Sequence, residues 1–594
     1  MRSKFALLLS SFTGRHESGV RHAVLVMTGL ALAMPVGVAA QTIPTIPTPI
    51  APSQVTPRSL RPAEPTLPMP LNLDEATPAE VPAGADTINV RVARIEVDGE
   101  FPELAATSRR LLGPLENKLV TVADLYRGAA ALENAYSDAG YFLARVVIVQ
   151  QRLADMDVFR IRVVDGFVEQ IDTQGLPARV RRPVLQLLQP VVGKRHLTLA
   201  EMERRLTSAA AIPGMTIRST LARGDSAGGA RLVLEGRHQL AGLSIGGDNR
   251  LGPSFDDWGL NVQAQLNSAL GYGEQFYLFL SGDPRIDRAF RGSAPRRVGG
   301  VGAILPLTAS GLTFNPEFTV SDTHPISANP IFASDGRLYR SAFSLAHPLL
   351  YTPKGALLGR VTLEVVSETQ SLPFFDLTLS KDRLSVVRGN LFYNGSAWGN
   401  ASIAAETTIS QGTSLFHART PASIARSETA SSRGSDPQFT KVDGRAVLQQ
   451  AFGQQSTLTV IARAQTSFGT VLPSSELFDL GGLDGLSPLT AGALSTDGGA
   501  VVRGELAHRK AFDFATTRLQ IEPYLFGAAG LPHAVIDDPF LPSRAFAYGV
   551  GIRFATTPLP FGAAPTLTLE FGQARANRGA GSNERLSVLY GVSF

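Results

Sequence analysis

One stretch of the chain has residue types at a spacing that could make a nucleophile. Gly242-Leu243-Ser244-Ile245-Gly246 matches Gly-x-Ser-x-Gly. In hydrolases that pattern works because a strained strand-to-helix turn lifts the serine beside backbone N–H groups that stabilise an oxyanion. Here the residues lie in a predicted strand and are followed by Asp248-Asn249 with no helix, so acyl transfer is not expected. The nine histidines show no His-Glu-x-x-His or other ligand spacing, and there is no cysteine to supply a thiolate or a disulfide. Neither catalysis nor a metal or cofactor is expected, and function has to be sought in the elements themselves.

The compartment can be read from the N-terminus. Arg2, Lys4, Arg15 and Arg21 precede an apolar run, Ala23 to Val38, and Val38-Ala39-Ala40 provides small residues for cleavage between Ala40 and Gln41. Residues 1–40 are therefore expected to be a signal peptide. After Gln41 no run of about 18 apolar residues occurs, so a mature protein that crosses a membrane would have to do so as a closed barrel. A formal charge of +4 is small for 594 residues and gives no reason to expect nucleic acid as a partner. Residues 41–86 are rich in proline, which removes N–H donors, and are expected to be an extended linker.

Two small α+β modules follow, at 87–166 and 167–238. In the first, Ile88 to Val97 predicts a strand. Thr121 with Asp124 resembles a capping box, Leu125, Ala129, Leu132 and Tyr136 recur at helical spacing, and Gly140 closes the helix. Arg145 to Val149 and Phe159 to Val164 complete a β-α-α-β-β plan. The second repeats it with a strand at Val168 to Gly175, a helix at Arg182 to Leu188, a second capping box at Thr198 and Glu201, and closing strands at Thr216 to Leu221 and Ala230 to Glu235.

Residues 239–594 alternate with a period of two. Leu260, Val262, Ala264 and Leu266 interleave with Asn261, Gln263, Gln265 and Asn267, and Leu567, Leu569 and Phe571 with Thr566, Thr568 and Glu570. A soluble sandwich would show more Lys and Glu on its polar face; Asn, Gln, Thr, Ser and Arg suit a wet lumen. The final strand alternates through Leu586, Val588, Tyr590, Val592 and Phe594 to the last residue. The Ser-, Thr- and Ala-rich segment from Arg419 to Gln438 is expected to be a surface loop without chemistry.

One loop is longer than a barrel turn requires. Leu472-Pro473-Ser474-Ser475-Glu476-x-Phe478-x-Leu480-Gly481-Gly482 resembles the approach to the sixth extracellular loop of two-partner-secretion outer-membrane transporters, the haemolysin activator and secretion family of the Omp85 superfamily. The resemblance extends to the modules, through Tyr136 to Tyr141, Val163-Val164-Asp165-Gly166-Phe167 and Ile212-Pro213-Gly214-Met215, which are similar to that family's polypeptide-transport-associated (POTRA) domains. It extends also to the terminal aromatic, where Tyr590, Val592 and Phe594 resemble a barrel-assembly signal. It implies a transmembrane antiparallel barrel of 16 strands behind two POTRA-like domains, a loop folded into the lumen, and no enzymatic activity.

In that family the loop tip reads Val-Arg-Gly-Tyr or Phe, and its arginine pairs with an aspartate on the barrel wall. Here the loop carries Gly481, Gly482 and Asp484, and the tip positions hold Leu486, Ser487, Pro488 and Leu489; Ala528 stands where the aspartate is expected. Joint loss of both charges predicts a seat made of uncharged contacts, because a buried charge needs its partner. The resemblance further implies a secreted exoprotein with an N-terminal secretion domain as partner, along with outer-membrane lipid and the barrel-assembly machinery. The location it implies is the outer membrane, with the N-terminal modules in the periplasm. A barrel-assembly or insertase relative, and a solute channel or receptor, are the alternatives.

Overall fold

The computed structural model describes residues 81–594 apart from 153–155, 290, 293, 353–354, 515–516, 558, 560–561 and 578–582. Ala40, Gln41, the expected signal peptide and most of the expected linker lie outside the described residues.

The first module differs from the expected plan by one strand. Leu119–Thr121 pairs antiparallel with Asn89–Asp98, giving β-α-β-α-β-β and the sheet order Leu119–Thr121, Asn89–Asp98, Asp157–Val164, Arg145–Ile148. Three residues are too few for a period to register in the sequence. The helix Val122–Asp138 starts where the capping box placed it, with both reciprocal bonds between Thr121 and Asp124 formed. Its face of Leu125, Ala129, Leu132 and Tyr136 is buried against Val92, Phe159 and Ile161.

In the second module the strands Phe167–Gly175 and Met215–Arg223 flank Gly229–His238, under the helices Ala178–Leu188 and Leu199–Ala210. The first of these helices begins four residues before the predicted Arg182, because Pro177 and not Pro183 precedes it; Pro183 lies inside the helix and is buried. The second capping box is only half made. Thr198 accepts from the Glu201 N–H, but the Glu201 carboxylate turns away to Lys194 at 2.5 Å.

The Asp165-Gly166 turn locks the modules together. Asp165 accepts from the His196 backbone N–H at 3.1 Å, and the His196 ring lies 3.9 Å from Phe101 of the first module. Gly166 is required here, since a Cβ would stand 2.2 Å from the Leu143 carbonyl oxygen.

Sixteen antiparallel strands then close into a barrel, from the first, Ala241–Asp248, to the last, Asn583–Ser593, which pair with each other. Gly498–His508 and Lys510–Phe514 form one interrupted strand, the twelfth, since both pair with Thr517–His533. Asn249 staples the seam, donating to the Leu586 carbonyl at 2.8 Å and accepting from the Val588 N–H at 2.9 Å. Phe594 joins it, exchanging backbone bonds with Leu243. Ser244 sits mid-strand between Gln263 and Ser593, without the turn a nucleophile needs. Among the described residues no helix is long and apolar enough to cross a membrane, which says nothing against crossing by strands.

The lumen differs from the sequence reading in one respect. Besides Asn, Gln, Ser and Thr it holds Glu317, Glu364, Glu505 and Glu570, all buried and each bonded to arginine. A period of two places these glutamates inside but does not pair them, because most of the partners come from other strands; Glu505 alone meets an arginine of its own strand, Arg503.

Candidate functional site: a loop seated inside the barrel

The connection between Ser456–Thr466, the eleventh strand, and Gly498–His508 is the sixth on the far side of the barrel, opposite the modules. It does not project outward. Phe478–Asp479 pairs with Ser495–Thr496 as a short hairpin, and Asp479 accepts from the Gly481 N–H at 2.9 Å and the Gly492 N–H at 3.2 Å, which bends the chain back across the lumen. Gly482 holds the turn with φ of 86°, a conformation few side chains tolerate.

The stem of the loop is fixed by charge. Glu476, 1% exposed, accepts two bonds from Arg388, at 2.6 and 3.1 Å, and pairs with Lys441 at 2.8 Å. Arg388 also meets Glu364, which meets Arg340, which meets Glu317; the Tyr277 hydroxyl donates to Glu317 at 2.9 Å. This chain of alternating charge runs around the wall from the third strand, near the module side, to the stem. The returning stem ends on the buried Asp497, which accepts from Arg433 at 2.8 and 3.1 Å, from the Leu472 N–H at 2.9 Å and from the Val535 N–H at 3.0 Å.

Arg433 belongs to the segment expected to be a surface loop without chemistry; it is a largely exposed loop, but one end of it is tied to the barrel and to the stem. Ser431 and Ser432 of the same segment bond to the buried Asp382 of the eighth strand, and Ser432 Oγ accepts from the Ser474 N–H at 3.0 Å. Phe439, just beyond that segment, packs with Leu472 against Leu338, Val366 and Leu384 as an apolar collar under the far mouth. A run of Ser, Thr and Ala looks mobile in sequence, but here the short hydroxyls satisfy a buried carboxylate.

The tip is seated differently. Leu486 and Ser487 are buried, Asp484 meets Arg445 at 3.0 Å with both half-exposed, and Leu480 and Leu486 lean on Gly530, where a Cβ would come within 3.1 Å of either leucine. The expected wholly uncharged seat is not what forms. Arg503 of the twelfth strand, fully buried, donates to Ser487 Oγ at 2.7 Å and to the Gly485 carbonyl at 3.4 Å. It also meets Glu505 at 2.8 Å and Glu570 at 2.6 Å, and its guanidinium lies 3.8 Å from the centre of the Phe526 ring. Ala528 is the register partner of Arg503 and is buried beside it. The arginine therefore sits on the wall instead of on the tip, already neutralised by wall carboxylates. Sequence reasoning missed it because Val-Val-Arg-Gly-Glu reads only as a strand; its inward parity, opposite Ile461, was the available signal.

On the module side, a cavity of about 1380 Å³ separates the helices of the second module from the barrel mouth, lined by Leu185, Met215, Tyr272, Tyr277 and Pro306 among others. The Gly271-Tyr272-Gly273-Glu274 turn docks there: Arg182 stacks on Tyr272 at 4.9 Å, and the Glu274 carboxylate holds the turn through the Leu270 and Tyr272 N–H groups. The strand Met215–Arg223 leaves one edge unpaired among the described residues, with Thr216, Arg218, Thr220 and Ala222 exposed.

The family model of haemolysin secretion/activation proteins ShlB/FhaC/HecB matches residues 228–551, more than half of the chain, and a ShlB-type POTRA domain model matches residues 90–166. No curated protein sequence matches. Among solved structures, CdiB from Escherichia coli is 21% identical, with a TM-score of 0.71 over 89% of this chain and 94% of that one. CdiB from Acinetobacter baumannii is 13% identical, with a TM-score of 0.57 over 85% of this chain and 90% of that one. At these identities the likeness is one of fold.

Proposed function

Since the chain belongs to the ShlB/FhaC/HecB family, and so is an outer-membrane transporter for two-partner secretion with periplasmic POTRA modules, we propose a route and a gate for its exoprotein. The exoprotein is captured in the periplasm through an N-terminal secretion domain that adds a strand to the free edge of Met215–Arg223. It passes through the cavity under the second module and reaches the cell surface through the lumen. The tip of the sixth loop, Leu486 to Leu489, closes the lumen at rest and withdraws for passage, while its stem stays on Glu476 and Asp497.

The observation that supports this reading is the continuity of the path: free edge, cavity and polar lumen follow one another, and a loop lies across it whose tip meets the wall arginine Arg503 through the uncharged Ser487. Backbone pairing reads shape more than sequence and so suits an unfolded chain. The test is site-specific photo-crosslinking in the full chain. A crosslinker at Thr220 is expected to capture the exoprotein during secretion, whereas one at Glu235 on the central strand is not. Crosslinks from neither position in a secreting cell would refute capture at this edge.

A further inference from the structure

The outer surface of the barrel carries a charged row away from the lumen. Arg297, Asp322, Arg337, Thr369 and Lys381 are successive register partners on the fourth to eighth strands, Arg296–Pro306, Thr313–Thr323, Asp335–Thr352, Gly355–Leu372 and Leu377–Ser396. One step toward the membrane the same strands present Gly299, Val320, Tyr339, Ser367 and Arg383. These side chains face outward, because the lumen residues Leu338, Glu368 and Asp382 have the opposite parity and are buried. Further down, the same outward rows become apolar and exposed at Val301, Phe318, Val361, Val387 and Leu391. The row therefore lies at the extracellular edge of the lipid-facing band.

Its arrangement suits an anion. Asp322 accepts from Arg297 at 3.2 Å and from Arg337 at 2.9 Å, and so orients both guanidinium groups. Lys381 and Arg383 are exposed and make no ion pair among the described residues. Arg419 stands beside them, bonded to the Lys381, Thr429 and Ala430 carbonyls. Four outward cations, two of them flanking Asp322 and two on the eighth strand, line the row over about 19 Å, from strand spacing. The same edge on the thirteenth strand presents Ala529 and Leu531 instead. Arginine forks match phosphate oxygens, and a cation at a headgroup boundary is worth most against an anionic lipid.

We propose that this patch, Arg297, Arg337, Lys381 and Arg383, binds the phosphorylated headgroup of an anionic glycolipid of the outer leaflet, with the acyl chains lying along Phe318, Val361 and Val387. Free phosphate would meet the same cations but not the apolar strip below them, and this difference separates the two sources.

The experiment uses the full chain purified in detergent, with native mass spectrometry after addition of diphosphorylated lipid A, phosphatidylethanolamine or inorganic phosphate. Wild type is expected to retain lipid A in preference to phosphatidylethanolamine, and millimolar phosphate is expected not to be retained. R297Q/R337Q/K381Q/R383Q should lower lipid A retention by at least about tenfold. K381Q/R383Q removes only cations without a carboxylate partner, so it should fold as wild type and still lose retention. R544Q/R575Q, elsewhere on the far rim, should lose none. Equal retention by K381Q/R383Q and wild type, or equal retention of phosphatidylethanolamine and lipid A, would overturn the proposal.

Discussion

The two ends of the sixth loop are held by different physics. At the stem, Glu476 is buried between Arg388 and Lys441, and Asp497 between Arg433 and two backbone N–H groups. Removing Glu476 leaves the buried Lys441 without its carboxylate, at about 3 to 5 kcal/mol, while Arg388 keeps Glu364; removing Asp497 strands two backbone N–H groups and the part-exposed Arg433. At the tip, the Ser487 hydroxyl accepts from Arg503, whose two carboxylate partners, Glu505 and Glu570, belong to the wall and not to the loop. Withdrawal there gives up the Ser487 bond to a charged group, about 1.5 to 3 kcal/mol, a long bond to the Gly485 carbonyl, the part-exposed Asp484–Arg445 pair, worth about 0 to 1 kcal/mol, and the burial of Leu486. A tip that carried the arginine itself would strand charges on both sides as it left. On the proposed gating, an arginine held on the wall lets the tip leave while the stem stays anchored.

The largest effect is expected from Glu476→Ala, which removes the acid between Arg388 and Lys441. Thermal unfolding of the extracted barrel should shift down by an amount equivalent to about 3 to 5 kcal/mol, and cells should admit large antibiotics that the wild type excludes. An unshifted transition would remove the distinction between stem and tip.

Ser487→Arg comes next, since it sets a second guanidinium against Arg503 inside the lumen. The barrel should still fold, and its conductance in planar bilayers should rise as the tip is displaced. Adding Ala528→Asp, at the register partner of Arg503, should recover part of the closed state. Arg433→Ala should act at an intermediate level: Asp497 keeps its two N–H donors, so about 1 to 3 kcal/mol is lost, seen as faster proteolysis within residues 419–438 of intact cells. Ser487→Ala should be mildest, with an unchanged melting transition and a small rise in the frequency of channel opening.

The barrel was legible because a period of two over sixteen strands is a strong signal, and the helix from Val122 was legible because Thr121 and Asp124 form a local cap. The short strand Leu119–Thr121 was not, being three residues long. The loop's bend could be read from Gly481, Gly482 and Asp484, but the seat could not. Arg503 reaches the tip from one strand and is held by Glu505 beside it and by Glu570, 67 residues away on another strand, which no local pattern links to it. The segment from Arg419 to Gln438 misled for a related reason. Its composition is that of a mobile loop, and the buried Asp382 and Asp497 that order it lie on distant strands.

The most direct test of the account locks one end of the loop at a time in a chain that has no cysteine of its own. Asp484→Cys with Arg445→Cys, joined by a short bis-thiol crosslinker, fixes the tip to the wall where the native side chains already meet at 3.0 Å. Ser474→Cys with Ser432→Cys, oxidised to a disulfide, fixes the stem at a native contact of 3.0 Å. Secretion of the exoprotein should stop when the tip is locked, return when a cleavable crosslinker is cut, and continue when only the stem is locked. Undiminished secretion with the tip crosslinked would contradict the claim that the tip leaves the lumen while the stem stays.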